Sequence, residues 1–169
     1  MLARVIVVLM GVSGSGKTTM GRRLAADLGW DFLDADDFHS AANKEKMARG
    51  LPLTDEDRAP WLGALAEALR ERVRSGRGAI LACSALRESY RETLRVDPAV
   101  RFVHLKADVE TIRRRLGGRR GHFFNAGLLT SQLEALEEPK DALVVDVTGA
   151  REATALAIKR GLGLTIENS

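Results

Sequence analysis

At 169 residues the chain suits one domain with a full hydrophobic core, and its 45% hydrophobic and 29% charged residues are ordinary globular composition, which excludes an intrinsically disordered chain. Its 26 basic residues face 23 acidic ones, and the net charge of +3 is too balanced to mark a nucleic-acid or membrane surface, although a local basic pocket stays open. A single cysteine, Cys83, cannot form an internal disulfide, and no apolar run reaches signal-peptide or membrane-spanning length, so the expectation is a soluble cytoplasmic protein.

The first expected strand, 4–10, is nearly all apolar and runs straight into Gly11-Val12-Ser13-Gly14-Ser15-Gly16-Lys17-Thr18. This is the G-x-x-x-x-G-K-[ST] phosphate loop in the context it requires, with a buried strand before it and a helix after it. Its glycines let consecutive backbone N–H groups curl around phosphate oxygens. Lys17 supplies a charge for the outer phosphates, the Thr18 hydroxyl is a hard oxygen ligand for magnesium, and the helix that follows adds its positive N-terminal end. The helix, 17–28, carries Met20, Leu24, Ala25 and Leu28 on one stripe and stops at Gly29. These residues predict nucleoside-triphosphate binding.

The second expected strand, 31–34, ends in Asp34-Ala35-Asp36-Asp37. In extended chain, residues two apart point to one side, so Asp34 and Asp36 are expected to project together at a carboxyl end of the sheet, where open α/β folds bind ligands. Asp34 is assigned to magnesium and Asp36 to the substrate hydroxyl, with Asp37 available to cap the next helix, about 41–49. Next, Thr54 or Asp55 is expected to cap a helix at 57–75, with Pro60 in its first turn and Leu62, Leu65, Ala66, Leu69 and Val73 on its buried face. Arg58 carries a planar fork suited to a carboxylate or phosphate; the residues alone leave it equally a solvated surface charge.

The third strand, 78–83, leads through Cys83 and Ser84 into a helix at 85–95. Cys83 has no evident base partner and reads as a small core residue. Arg87 and Arg91, four apart, share a helical face, which suits an anion clamp without demanding one. A fourth strand at 100–106 and a helix at 108–117 precede the segment 117–127, whose glycines and Arg119, Arg120 and His122 predict a mobile lid loop bringing arginine to the transferring phosphoryl group and excluding water. His39, His104 and His122 show no metal-ligand spacing. A helix at 127–137, a strand at 142–147 and a helix at 150–161 complete the pattern, with no repeat or linker that would divide residues 1–169. Alternating strands and helices predict an α/β fold of the P-loop NTPase type: a five-stranded parallel sheet flanked by helices, with a short lid.

Over residues 5–148 the chain resembles the gluconate kinases of the small P-loop type, which are related to shikimate kinases. The resemblance rests on the phosphate loop, Phe32-Leu33-Asp34-x-Asp36, Asn43-x-x-Lys46-Met47, Asp57-Arg58-x-Pro60-Trp61-Leu62, Cys83-Ser84-Ala85-Leu86, Tyr90-Arg91, Arg115-Leu116 with Arg119, Gly121-His122-Phe123-Phe124 and Leu136-Glu137-x-Pro139. It implies ATP-dependent phosphorylation of D-gluconate at its 6-hydroxyl by a magnesium-using cytosolic homodimer. It further implies that Lys17 and the loop amides of Gly11, Ser13, Gly14, Ser15, Gly16 and Thr19 hold ATP, with Thr18 and Asp34 on Mg2+ and Asp36 on the attacking hydroxyl. Arg58 then recognises the acid sugar with Ser84, Arg91 and His122 nearby; Arg119 reaches the γ-phosphate; Arg115 and Thr148 flank the adenine. Gly117-Gly118 and Arg120 depart from the pattern and leave open which lid arginine meets phosphate. Within enzymes, a shikimate or nucleotide kinase is the rival; the low aromatic content of 5% disfavours a second base-stacking site. A P-loop switch or regulatory ATPase is the rival from another class, and it would need ordered switch segments that nothing here marks.

Overall fold

The structure, a computed structural model, describes residues 4–117 and 126–164. Five strands form one sheet: β1 (Ile6–Met10), β2 (Asp31–Asp34), β3 (Ala79–Ala82), β4 (Val100–Lys106) and β5 (Leu143–Asp146). All pair in parallel in the order β2-β3-β1-β4-β5, as the alternating pattern predicts. The helices are α1 (Lys17–Leu28), α2 (Ala41–Ala48), α3 (Asp55–Ser75), α4 (Glu88–Leu94), α5 (Val109–Gly117), α6 (Ala126–Ala135) and α7 (Arg151–Gly161).

The most apolar strand takes the central place. β1 is buried along its whole length because it has a strand on each side and helices on each face. Alternate residues of the segment serve opposite layers. Val5, Val7 and Leu9 pack with Met20 and Leu24 of α1 and Ala155 and Ile158 of α7. Ile6, Val8 and Met10 pack with Trp61, Leu62, Leu65 and Leu69 of α3. A third, smaller cluster of Val12, Leu86, Ile112 and Leu129 seats α5 and α6 over the carboxyl end of the sheet.

Three local expectations are corrected. The chain leaves extended conformation at Asp34 and makes a 3-10 turn over Ala35–Phe38, so strand alternation does not govern Asp36; Ser40, not Asp37, caps α2. Helix α3 begins two residues before 57, with Thr54 and Asp57 exchanging side-chain-to-backbone bonds as a capping box. Pro60 therefore lies one turn in, where it deletes the bond to the Glu56 carbonyl on an exposed side of the helix. Helix α4 starts at Glu88 rather than 85, because buried Ala85 takes a left-handed φ of 46° and breaks any helix there.

Candidate active site

At the carboxyl end of β1 the chain turns through residues 11–16 into α1. Gly16, at φ 90°, forms the N-cap of α1 in a conformation L side chains rarely adopt, and it brings no side chain to cap the helix start. Gly14 also has positive φ, and a Cβ there would come within 2.8 Å of Leu116 in α5, so glycine is needed for close packing as well as for the turn. The loop folds around Lys17, whose Nζ donates to the carbonyls of Gly11 at 2.9 Å and Val12 at 3.1 Å. Ser15 is 2% exposed, and its Oγ is a buried hydroxyl without a hydrogen-bond partner among the described residues. A helix start without a side-chain cap, a buried hydroxyl and a loop lysine together fit a polyphosphate.

Behind the loop, a cavity of ≈ 470 Å³ is lined by Gly16, Thr19, Arg115, Val147 and Gly149, with Arg114 and Arg151 at its wall. Arg115 Nη2 donates to the Val147 carbonyl, which fixes its guanidinium against the turn after β5. Thr148 is exposed between two lining residues, and its amide is bound to Asp146 Oδ1 at 2.7 Å. That bond, with the Thr148 hydroxyl first, holds the Asp146 carboxyl below the usual carboxylate range.

Asp34 joins the two halves of the site. Its Oδ2 accepts from the Thr18 hydroxyl at 3.2 Å, and its Oδ1 accepts from the Asp36 amide at 3.0 Å, so it caps the 3-10 turn. The two acids do come together, through this turn rather than by alternation. Burial, and then the Asp34 charge, raise the Asp36 carboxyl above its ordinary value; His39 and Lys17 oppose the shift. The Thr18 and Asp34 oxygens form a small hard donor set of the kind magnesium accepts when phosphates and waters complete its shell. Among the described residues no three His, Cys, Asp or Glu side chains gather as a protein-only metal centre.

The turn bearing Asp36 is anchored from below. Trp61 Nε1 of α3 donates to the Ala35 carbonyl at 2.7 Å, a buried bond across 26 positions of sequence. One helical turn earlier, Arg58 is partly exposed. Its Nη1 reaches Tyr90 Oη at 3.2 Å and lies 3.7 Å from Asp55, while Tyr90 Oη donates to Asp55 at 3.0 Å. Lys46 of α2 bonds Asp57 at 2.8 Å; this bond first, and Thr54 second, hold the Asp57 carboxyl down to about 2. Ser84 is half-buried, and its carbonyl accepts from the Gly11 amide at 3.2 Å, which ties the end of β3 to the phosphate loop. Burial pushes the Cys83 thiol up to about 12, so it is a core thiol and not a nucleophile.

Arg91 departs from the expected substrate contact. It is fully buried, and its donors are spent inside the protein. Nε bonds Glu88 at 3.0 Å, Nη1 bonds the Ala85 and Leu86 carbonyls at 2.7 and 3.1 Å, and Nη2 bonds the Glu137 carbonyl at 2.7 Å. Arg91 thus holds the strained Ala85 turn and the strap after α6, and acts as a positioning residue. Arg87 sits before α4 as its exposed N-cap residue and does not form a clamp with Arg91. Arg119 and His122, with most of the expected lid, lie outside the described residues. The sequence reading missed Gln132 of α6, whose Oε1 accepts from the Ser13 amide at 2.6 Å across 119 positions. No local signal marks it, since a helical glutamine reads as surface.

Comparison with known proteins agrees with this geometry. A family model described as an AAA domain matches residues 6–139. The chain is 51% identical over 147 residues to a gluconokinase of Gluconobacter oxydans (strain 621H), covering 86% of this chain and 83% of that protein. It is 44% identical over 165 residues to the thermoresistant gluconokinase of Escherichia coli (strain K12), covering 92% and 94%. The crystal structure of a gluconokinase from Sinorhizobium meliloti 1021 superposes with a TM-score of 0.87 at 38% identity, covering 96% of this chain and 94% of that one.

Proposed function

The chain belongs to the gluconokinase family, and from that premise we propose that it transfers the γ-phosphoryl group of ATP to the 6-hydroxyl of D-gluconate, with the donor held at residues 11–19 and the acceptor between Asp36 and Arg58. The observation that carries the reading is the position of Asp34. One of its oxygens meets Thr18 on the phosphate loop and the other meets the amide of Asp36, so donor and acceptor groups are linked through one carboxylate.

The loop amides and the end of α1 take the phosphates of ATP, and Lys17 turns from its loop carbonyls to the outer phosphate oxygens. Arg115 and the turn at Val147–Thr148 receive the base. Thr18 and Asp34 would hold Mg2+, which supplies charge neutralisation to the phosphates when bound. Asp36 accepts a hydrogen bond from the acceptor hydroxyl and aligns it for in-line attack; as transfer completes, the hydroxyl proton passes to its carboxylate. A raised carboxyl suits both tasks better than an ordinary one, because it is a stronger base. Arg58, already paired with a phenol and an exposed acid, can exchange Asp55 for the gluconate carboxylate. Ser84 borders this space. Arg119 and His122 keep the lid roles their motif suggests, closing on the γ-phosphate and the substrate. The working form in this proposal is a cytoplasmic homodimer. Among the described residues no helix is long and apolar enough to cross a membrane.

A coupled ADP-release assay over a panel of sugar acids, with shikimate and nucleoside monophosphates as competing acceptors, tests the proposal. Turnover selective for D-gluconate is expected. Equal ADP release without any acceptor would replace the kinase with an ATPase, and preference for shikimate would move the acceptor assignment.

A further inference from the structure

His39 plays no part in the scheme above, yet it closes the turn that bears Asp36 and packs against the helix that bears Arg58. It follows the turn that bears Asp36, and its ring stacks on Trp61 with centroids 4.3 Å apart and planes 10° apart. Its Nδ1 faces Asn43 Nδ2 at 3.3 Å, and the same Nδ2 donates to the Asp57 carbonyl at 2.8 Å. A backbone carbonyl only accepts, so the atom of Asn43 that meets it is the amide nitrogen. That nitrogen carries two hydrogens, one for Asp57 and one for the imidazole. Nδ1 must therefore offer a lone pair, and the ring hydrogen is placed on Nε2. Asn43 is 5% exposed and is also capped to Ser40 through its backbone, so this orientation is built in. Nε2 itself has no hydrogen-bond partner among the described residues.

The charged groups that act on the ring come from each element around it: Asp36 from the 3-10 turn, Lys44 from α2 and Arg58 from α3. The imidazole thus feels both the carboxylate assigned to the reacting hydroxyl, on the turn it closes, and the guanidinium assigned to the acid, on the helix whose Trp61 it stacks against. Partial burial first, and then the Arg58 and Lys44 charges, lower its basicity against the pull of Asp36. A second proton on Nδ1 would also set N–H against N–H at Asn43. The ring is accordingly neutral at neutral pH, a donor at Nε2 and an acceptor at Nδ1.

We propose that His39 is a specificity-determining contact for the acceptor, donating from Nε2–H to a hydroxyl of the sugar-acid chain between the end held at Asp36 and the end held at Arg58. The inference rests on the acceptor assignment above and adds a third grip. Two end contacts measure only the length and charge of the acid. A donor between them reads the presence of a particular interior hydroxyl, because its absence leaves an N–H unpaired in a partly desolvated site.

The test compares wild type with His39→Phe and His39→Gln. Phenylalanine keeps the stack on Trp61 and removes Nε2–H, while glutamine restores a donor at about the same reach. The expected result for His39→Phe is a rise of about tenfold in the KM for gluconate, the size of one hydrogen bond, with the KM for ATP unchanged. His39→Gln should recover part of that loss. Among gluconates lacking one interior hydroxyl, one should bind wild type and His39→Phe equally. Should the phenylalanine variant fail to fold, nitrogen-15 spectra of wild type decide, since the chain holds only three histidines. They should show His39 with Nε2 protonated and its Nε2 signal shifting on addition of gluconate without nucleotide. A gluconate KM within twofold of wild type in His39→Phe, or an Nε2 signal indifferent to saturating gluconate, overturns the proposal and leaves the gluconokinase reading standing. Absence of gluconate phosphorylation by wild type overturns that reading instead, together with the inference that rests on it.

Discussion

The two sides of the site are built in different ways. On the donor side the groups for phosphate are consecutive residues of one turn, set by glycine dihedrals and by the start of α1; the long-range support described is the bond from Ser13 to Gln132 and the tie from Gly11 to Ser84. On the proposed acceptor side, Asp36 and His39 come from the 3-10 turn and its end, Arg58 from α3 and Tyr90 from α4, three separate places in the chain. They are held by side-chain bonds of Trp61 to Ala35, Asn43 to Asp57, Lys46 to Asp57 and Tyr90 to Asp55. A backbone-built cradle is a common device for any triphosphate. A side-chain-built pocket can change its acceptor by exchanging a few residues, which explains how one phosphate loop serves kinases of many metabolites.

If this division is sound, substitutions on each side should move different constants. Lys17→Ala should lower turnover about 1,000-fold by removing charge stabilisation from the transferring group, and near-normal turnover in steady-state assays would break the donor assignment. Asp36→Asn should lower turnover about 100-fold or more while calorimetric ATP affinity stays near wild type. Loss of ATP binding there would mean that Asp36 belongs to the donor side. Arg91→Met should lower stability by about 3 kcal/mol in urea unfolding, because the carbonyls of Ala85, Leu86 and Glu137 lose their donor inside the protein. A change within about 0.5 kcal/mol would show that the strained turn needs no tether.

The smallest effect concerns Asp36 and pH. Its folded-state carboxyl is raised above the unfolded value of 3.8, so the folded state binds this proton more tightly. The associated stability is present below that unfolded value and is lost as pH rises through the raised folded one. Asp36→Asn should therefore melt slightly higher than wild type at pH 7, with the gap closing as pH falls towards 4. A variant melting lower at pH 7 would show that the ionised carboxylate is held favourably and that attraction to Lys17 outweighs its burial.

Much of the fold was legible in the chain because its signals are local. The apolar runs of β1 and β3, the stripe Met20–Leu24–Ala25–Leu28 and the stop at Gly29 each report on their own neighbourhood. Expectations failed where distant groups act on a short segment. Arg91 reads as half of an anion clamp with Arg87 until the left-handed Ala85 and the strap at Glu137 supply carbonyls for it. Asp36 reads as a strand residue until Trp61, anchored in α3, takes the Ala35 carbonyl and favours the 3-10 turn.

The amino-acid sequence by itself therefore determined the order of the elements, the parallel α/β class and the phosphate loop, since helix periodicity, strand burial and glycine dihedrals act over a few residues. Only the tertiary structure decided that Asp34 joins Thr18 to Asp36, that Arg91 faces inward, that Gln132 meets Ser13 and that Asn43 orients His39. Each of those is a directional bond between residues of different elements. Its partner is chosen by which donor and acceptor the packed elements bring to hydrogen-bond distance, a proximity that no local pattern encodes.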